Sequence, residues 1–182
     1  IINPKSFINS NILGVYNILE AVRKHKKKLI QISTDEVYGS LKTGSANEKY
    51  PLNPSSPYAS SKASAELLIM SYVTTYDCNA IITRCTNNYG PRQSSEKLIP
   101  KTIFLAENNM NIPVYGTGKN IRDWIYVTDH CDAILKVFSK GKSGKSYNIS
   151  ASNEIDNLSI VKKILKIIGK SQNLIHHTKD RH

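Results

Sequence analysis

The chain has 182 residues, long enough for one good hydrophobic core or for pieces of two small domains. Its residues are 40% hydrophobic and 21% charged, which is ordinary for a globular protein. No apolar run approaches the roughly 18–20 residues that a membrane-spanning helix needs, so we expect no membrane partner. The formal net charge of +11 favours an anionic partner. Because the lysine clusters carry no recognition motif and no interleaved aromatic residues, a small anionic molecule is a more economical partner than a nucleic acid.

The first part of the chain alternates amphipathic helices with short apolar strands. Asn3 and Pro4 are typical of a helix start, and apolar residues at steps of three and four predict a helix over 5–25. A buried parallel strand over 28–33, a polar loop over 40–57, a helix over 56–76 and a strand over 79–85 are predicted to follow. This alternation indicates right-handed βαβ crossovers, and therefore an α/β fold with a parallel sheet.

The pattern changes near residues 86–96, where a polar stretch separates the long alternating elements before it from shorter elements after it. Beyond it we predict shorter elements, with Gly169 as the glycine that ends the last helix. The predicted helices are 98–108, 128–140 and 157–170, and the predicted strands are 112–116, 121–127, 145–150 and 173–178.

The three cysteines are an odd number, and they are widely spaced without a Cys-x-x-Cys pair. Such usage argues against a disulfide framework and against a zinc site. We therefore expect a reducing, cytoplasmic location and no bound metal for a chain with Cys78, Cys85 and Cys131.

A hydroxyl and two acids, Thr34, Asp35 and Glu36, follow directly after the first predicted strand. Acids are poor strand residues, so either the chain forms a helix cap or turn here, or these side chains serve chemistry. Because the carboxyl ends of parallel strands are where open α/β sheets bind ligands, Thr34 lies at a favourable position for a site.

Tyr58 and Lys62 lie four residues apart at the start of the second long helix, so both side chains leave the same face. An ammonium near a phenol lowers the pKa of the phenol and makes it a usable general base, although this pair is also common on ordinary helix surfaces. If this helix starts beside Thr34, the groups form a site that removes a proton from an alcohol while a hydride leaves.

Six strings occur in order along the chain: ISTDEVYG, NPSSPYASSKA, TRCTNNYGPRQ, EKLIP, IPVYGTG and IRDWIYVTDH. From Asn3 to about Asn157 the chain resembles the extended short-chain dehydrogenase/reductases, and within them the dTDP-glucose 4,6-dehydratases. The resemblance implies a partial Rossmann-like, doubly wound parallel sheet with a smaller α/β substrate-binding domain. It also implies NAD as cofactor, a nucleoside-diphosphate glucose such as dTDP-glucose as substrate, and a homodimer.

The resemblance assigns catalytic roles to five residues. Tyr58 takes the proton of the C4 hydroxyl, Thr34 hydrogen-bonds that oxygen, and Lys62 tunes Tyr58. Glu36 removes the C5 proton and Asp35 protonates the departing C6 hydroxyl, so that two carboxyl groups divide the elimination of water. Related epimerases generally lack the Asp–Glu pair, and related decarboxylases tend to keep only the glutamate.

Further residues match family positions for binding, and no metal site is implied. The cofactor-binding positions are Ser10, Ser33, Tyr58, Lys62 and Asn88. The substrate-binding positions are Thr34, Asn87, Lys97, Leu98, Pro113, Tyr115, Arg122, Asn157 and Arg181. Three structural alternatives stay open: a turn at Asn87 and Asn88, a local Arg122–Asp123 ion pair, and core packing at Leu98. The string TKDRH around Arg181 lacks the Pro-Gly that follows the arginine in the family.

The same resemblance divides the chain into a cofactor part and a substrate part. We expect 1–86, with 121–145 returning to it, to be the C-terminal part of the NAD-binding domain, and 87–120 with 146–182 to bind the nucleotide sugar. Because the family's Gly-rich dinucleotide fingerprint does not occur in this sequence, we expect an N-terminally truncated chain that is inactive alone. Two alternatives are an epimerase or decarboxylase of the same superfamily, and a non-catalytic fragment.

Overall fold

The computed structural model describes residues 3–41 and 43–180, and it confirms the α/β class. The helices are α1 (Pro4–Phe7), α2 (Gly14–His25), α3 (Pro57–Tyr76), α4 (Leu98–Glu107), α5 (Val127–Lys140) and α6 (Asn157–Ile167). The strands are β1 (Leu29–Thr34), β2 (Ala80–Cys85), β3 (Asn87–Tyr89), β4 (Ile112–Tyr115), β5 (Ile121–Tyr126), β6 (Ser146–Ile149), β7 (Glu154–Asp156) and β8 (Ile175–Thr178).

The chain divides into two compact units, Ile1–Cys85 with His130–Ile149, and Thr86–Asp129 with Ser150–His182. The segment that returns to the first unit is therefore His130–Ile149, whereas the sequence analysis expected 121–145. Strand β5 pairs with β3 in the second unit, whereas β6 pairs with β2 in the first. Hydrogen bonding between strands, which the sequence does not display, sets these boundaries.

The first unit is built on a parallel sheet in the order β1-β2-β6. Residue Thr34 at the end of β1 lies opposite Cys85 at the end of β2. Helices α2 and α3 bury apolar side chains against the sheet in one core cluster, which includes Leu19, Ile69 and Ile82. The sheet therefore ends its first two strands side by side, as a site at their carboxyl edge requires.

The helix predicted over 5–25 is interrupted by a π-helical segment. Pro4 begins α1, and the Asn3 side chain accepts a hydrogen bond from the Lys5 backbone N–H at 3.2 Å, as the cap predicted. Residues Ile8–Leu13 then form the π segment, which the even spacing of apolar residues does not reveal. Such segments are frequent at functional sites.

The second unit contains two small sheets. Strands β3, β5 and β7 form one, in which β5 and β7 are antiparallel, and β4 pairs with β8 in the other. Helices α4 and α6 close a separate core around Ala106, Val161 and Leu165. Strands β3 and β7 are absent from the sequence predictions because each has three residues and no apolar alternation. Across the described ranges, no helix joins enough length to enough apolar character to cross a bilayer.

Candidate functional site

Thr34 is both the last residue of β1 and the cap of a short 3₁₀ helix that carries the two acids. It is 7% exposed, and its Oγ1 accepts a hydrogen bond from the Glu36 backbone N–H at 3.3 Å. The same oxygen donates to Oδ1 of Asp35 at 3.2 Å. The cap weighed as an alternative is thus present, and it presents half-buried Asp35 and exposed Glu36 at the carboxyl end of the strand.

The 3₁₀ helix Asp35–Tyr38 solves a geometric difficulty of two neighbouring acids. Adjacent residues of a regular strand point to opposite faces, so both acids cannot serve one ligand from a strand. A 3₁₀ turn begins immediately after Thr34 and ends at Gly39. Gly39 has φ +75°, and a Cβ there would lie 2.2 Å from the Asn53 carbonyl oxygen, so the turn needs glycine.

Tyr58 lies in the first turn of α3, where Ser56 and Pro57 start the helix. The Ser56 hydroxyl accepts a hydrogen bond from the Ala59 N–H at 3.1 Å. The Phe7 ring packs edge-on against the Tyr58 ring at 5.5 Å between centroids. Helix α3 therefore holds the phenol half-buried against the first helix of the chain.

The pKa of Tyr58 differs from the prediction. Burial raises it first, and the negative charges of Glu36, Cys85 and Asp35 raise it further. The Lys62 ammonium donates to the Ile32 carbonyl at 2.5 Å. The direction of this shift is opposite to the lowered pKa that the sequence predicted. The effect of Glu36 and Asp35 on the phenol supports the predicted closeness of the acids to Tyr58, and the roles of these residues stay predictions.

Lys62 connects the helix to the strand that precedes the acids. Burial lowers the pKa of its ammonium, and Cys85 and Glu66 oppose that shift. The hydrogen bond to Ile32 fixes the second turn of α3 against β1, two residues before Thr34. The first unit thus brings a hydroxyl, two carboxyls, a phenol and an ammonium to one region.

Two predicted cofactor positions of the first unit differ in their surroundings. Ser33 is 3% exposed, and within the described residues its Oγ has no hydrogen-bond partner. A buried hydroxyl in that state fits an additional polar ligand at the end of β1. Ser10 is exposed in the π segment, where its hydroxyl donates to the Ser6 carbonyl at 2.9 Å. Its neighbour Asn11 donates to Ser61 Oγ at 2.9 Å, a link to α3 that the sequence did not indicate.

The remaining predicted positions that the structure describes lie in the second unit. Asn87 and Asn88 are on β3, and the Oδ1 of Asn88 is buried without a partner among the described residues. Asn88 also lines a cavity of about 150 Å³ formed with residues 89–93 and Val127. The turn weighed as an alternative follows β3 rather than including it, since Gly90 and Arg92 have positive φ values.

The other binding candidates are spread over four elements. Lys97 and Leu98 start α4, and Leu98 packs against the core as its structural alternative predicted. Exposed Tyr115 and half-buried Pro113 are on β4, and half-buried Asn157 begins α6. Arg181 lies outside the described residues.

Arg122 on β5 is exposed, and its guanidinium donates to the neighbouring Ile121 carbonyl at 2.9 Å. The Arg122–Asp123 ion pair weighed as an alternative does not occur in the part of the chain that the structure describes. Asp123 instead accepts hydrogen bonds from the Thr86 hydroxyl and from the backbone N–H groups of Ala151 and Asn153. No cluster of three metal-ligating side chains occurs among the residues in the described ranges.

The chain has close counterparts among known proteins. A family model described as GDP-mannose 4,6 dehydratase matches residues 1–182. The dTDP-glucose 4,6-dehydratase of Mycolicibacterium smegmatis is 44% identical over 182 residues, covering 98% of this chain and 55% of the relative. The chain thus spans about half the length of the curated relatives it matches.

Solved structures agree with this relationship. The dTDP-glucose 4,6-dehydratase of Bacillus anthracis in complex with NAD superposes with a TM-score of 0.95 at 47% identity, covering 100% of this chain and 59% of that one. DesIV, the dTDP-glucose 4,6-dehydratase of Streptomyces venezuelae, also solved with NAD, gives a TM-score of 0.96 at 37% identity, with coverages of 98% and 56%.

Proposed function

The chain belongs to the GDP-mannose 4,6 dehydratase family, and we propose that it is part of an enzyme that dehydrates a nucleoside-diphosphate glucose. The substrate we propose is dTDP-glucose, and the product is the 4-keto-6-deoxy sugar. The observation that carries this proposal is the 3₁₀ turn after β1, which places both Asp35 and Glu36 close enough to Tyr58 to raise its pKa.

The chain's own residues divide the proton transfers of this reaction. NAD, when bound, supplies the hydride acceptor for C4 and the hydride donor for C6. Tyr58 takes the proton of the C4 hydroxyl while Thr34 hydrogen-bonds that oxygen. The resulting C4 ketone acidifies the C5 proton, which Glu36 removes, and Asp35 protonates the departing C6 hydroxyl.

The residues of the first unit fit the cofactor that this reaction needs. Ser33 offers a buried hydroxyl without a partner among the described residues, directly before Thr34. Lys62 and Tyr58 lie on α3 beside it, and Ser10 is on the π segment. In the second unit, Asn88 offers a buried amide oxygen. We propose these five residues as NAD contacts.

Substrate contacts are proposed for the second unit and for Thr34. Exposed Arg122 suits a diphosphate, since a guanidinium matches phosphate oxygens, and exposed Tyr115 suits stacking on a base. The other proposed contacts are Asn87, Lys97, Leu98, Pro113, Asn157 and Arg181. The first unit accordingly serves as the cofactor domain and the second as the nucleotide-sugar domain, each in its own part of the chain.

We also propose a homodimer in the cytoplasm. Large apolar side chains are exposed on the helices that the family uses for pairing: Tyr16 at 45% and Ile18 at 50% on α2, and Leu67 at 65% on α3. Burying such side chains against a second copy is favourable, because apolar surface leaves water.

The proposed activity is tested on the full-length protein with dTDP-glucose and, separately, with UDP-glucose. We expect a 4-keto-6-deoxy sugar, identified by its ultraviolet absorbance in alkali and by mass spectrometry as a loss of water. A 4-epimer of unchanged mass would instead establish an epimerase, and a decarboxylase would act only on the corresponding uronic acid. Comparison of the two nucleotides decides which base the site accepts.

A further inference from the structure

The turn that bears the acids and the helix that bears Tyr58 are tied to one buried guanidinium. Arg84, on β2, is 7% exposed. Its Nε and Nη2 donate to Oε2 of Glu66 at 3.0 and 2.6 Å, and its Nη1 donates to the Tyr38 hydroxyl at 2.7 Å. Neither partner is a residue to which the reaction assigns a role.

Each partner lies within one turn of the reactive residues. Glu66 follows Lys62 by four residues on α3, so the two side chains share a face of that helix. Tyr38 is the last residue of the 3₁₀ helix that begins with Asp35. A displacement of either hydrogen-bonded side chain therefore carries a reactive residue with it.

The polar groups around Arg84 are satisfied. The guanidinium also donates to the Glu48 carbonyl at 3.2 Å and lies 4.9 Å from the centroid of the Tyr38 ring. The Tyr38 hydroxyl in turn donates to Oδ1 of Asn148 on β6 at 2.7 Å. An arrangement with this many hydrogen bonds favours one geometry, because a shift breaks bonds of buried donors and acceptors.

Stability alone does not explain the buried Arg84–Glu66 ion pair. Well-packed apolar residues often replace a buried ion pair with no loss of stability. A guanidinium differs from them in directing its donors along fixed lines, two to a carboxylate and one to a separate acceptor. Fixing the relative position of two elements is a use that suits this geometry.

We infer that Arg84 is a positioning residue, which through Tyr38 and Glu66 holds the acid-bearing turn at a fixed separation from Tyr58 and Lys62. The inference rests on the proposed dehydration for its catalytic consequence. Its structural content, the separation of the acids from Tyr58, does not depend on that reaction.

The test variant is Tyr38→Phe in the full-length protein, which keeps the ring over Arg84 and removes only the hydroxyl. We expect kcat for dehydration to fall by roughly 10- to 100-fold with KM for dTDP-glucose unchanged, since a misplacement of about 1 Å costs as much. Rapid-quench mass spectrometry should show the 4-keto sugar that still retains its C6 hydroxyl, because the acids act in the step after C4 oxidation.

The second readout is the pKa of Tyr58, followed by NMR of tyrosine labelled at Cζ and assigned with Tyr58→Phe. We expect this pKa to fall in Tyr38→Phe, because the released turn holds the negative charges of Glu36 and Asp35, which raise it, farther from the phenol. Tyr50→Phe is the matched control: Tyr50 packs edge-on against Tyr38 at 6.0 Å and is 41% exposed. It should change neither readout.

Wild-type kcat together with a wild-type Tyr58 pKa in Tyr38→Phe would overturn the inference. If the wild-type protein forms no 4-keto-6-deoxy sugar, the proposed function fails, and the Tyr58 titration alone decides the positioning role. If Tyr38→Phe does not fold, Glu66→Gln, which preserves the side-chain shape on the other arm of Arg84, is judged by the same two readouts.

Discussion

At the scale of single residues, the site depends on unlike environments for groups of like charge. Asp35 is half-buried and accepts the Thr34 hydroxyl at 3.2 Å, whereas Glu36 is exposed and bonded to Thr34 only through its backbone N–H. A dehydration needs one carboxyl group as a base and one as an acid, and different surroundings are how proteins separate such roles.

The division of work between the two acids gives the first prediction. Asp35→Asn or Glu36→Gln should leave oxidation at C4 partly intact and reduce water loss by about 10²- to 10⁴-fold, the usual contribution of one acid or base. Rapid-quench mass spectrometry separates the oxidised sugar from the dehydrated sugar. Full-rate water loss in either variant would refute the assignment.

The raised pKa of Tyr58 gives a second prediction. Burial is the first cause, and Glu36 is the largest of the charged causes. A negative neighbour stabilises the protonated phenol, so removal of that charge in Glu36→Gln should lower the pKa of Tyr58. Cζ-labelled tyrosine NMR measures the shift, and Glu96→Gln, at an exposed glutamate of the second unit, should leave it unchanged.

The raised pKa of Tyr58 also makes the stability of the folded protein depend on pH. A phenol whose pKa is raised on folding stabilises the protein fully below its unfolded pKa of about 10. That stabilisation is lost as the pH rises through the folded pKa, because the unfolded chain then releases its proton more easily. For the proposed oxidation at C4, the raised pKa is unfavourable at neutral pH, because Tyr58 must be deprotonated to act as a base.

At the scale of elements, the order of helices and strands followed from the spacing of apolar residues. The predicted strand 28–33 became β1, and the predicted helix 56–76 became α3, with Ser56 as its cap rather than its first residue. The short strands β3 and β7 and the Arg84 network escaped because they depend on contacts distant in sequence, and the π segment escaped because even apolar spacing does not reveal it. The spacing of Tyr58 and Lys62 likewise showed that they share a face, but it did not show the burial that is the first cause of each pKa shift.

The buried pair between β2 and α3 gives a prediction at this scale. Glu66 is 1% exposed and faces Arg84 with two oxygens, so Glu66→Ala leaves a buried guanidinium without its partner. We expect the free energy of unfolding to fall by about 3–5 kcal/mol. Denaturant titration measures it.

The matched control for this prediction is a surface pair. Glu96 lies 3.4 Å from Lys97 with both side chains largely exposed, and Glu96→Ala should change stability little. Replacing both buried partners, in Arg84→Leu with Glu66→Met, should cost less than Glu66→Ala, since no charge is then left unpaired. A double variant as unstable as the sum of two single losses would argue against that account.

At the scale of the whole molecule, the two units carry different parts of the proposed task. The described candidates for proton transfer lie in the first unit. The proposed cofactor contacts also lie there except for Asn88, and the proposed substrate contacts lie in the second unit except for Thr34. The chain passes from the first unit to the second between β2 and β3, directly before Asn87 and Asn88, and it returns within α5 before leaving again after β6. The sequence showed the change of texture there but not which strands pair.

The exposed apolar side chains of α2 and α3 give the last prediction. If these helices pair with those of a second copy, an arginine at Leu67, which is 65% exposed, introduces two charges at the interface, one from each subunit, and should give a monomer. Sedimentation velocity of the full-length protein distinguishes monomer from dimer. Ile167→Arg is the matched control, because Ile167 is 74% exposed on α6 and belongs to neither pairing helix. A Leu67→Arg variant that stays dimeric, or an Ile167→Arg variant that alone dissociates, would place the interface elsewhere.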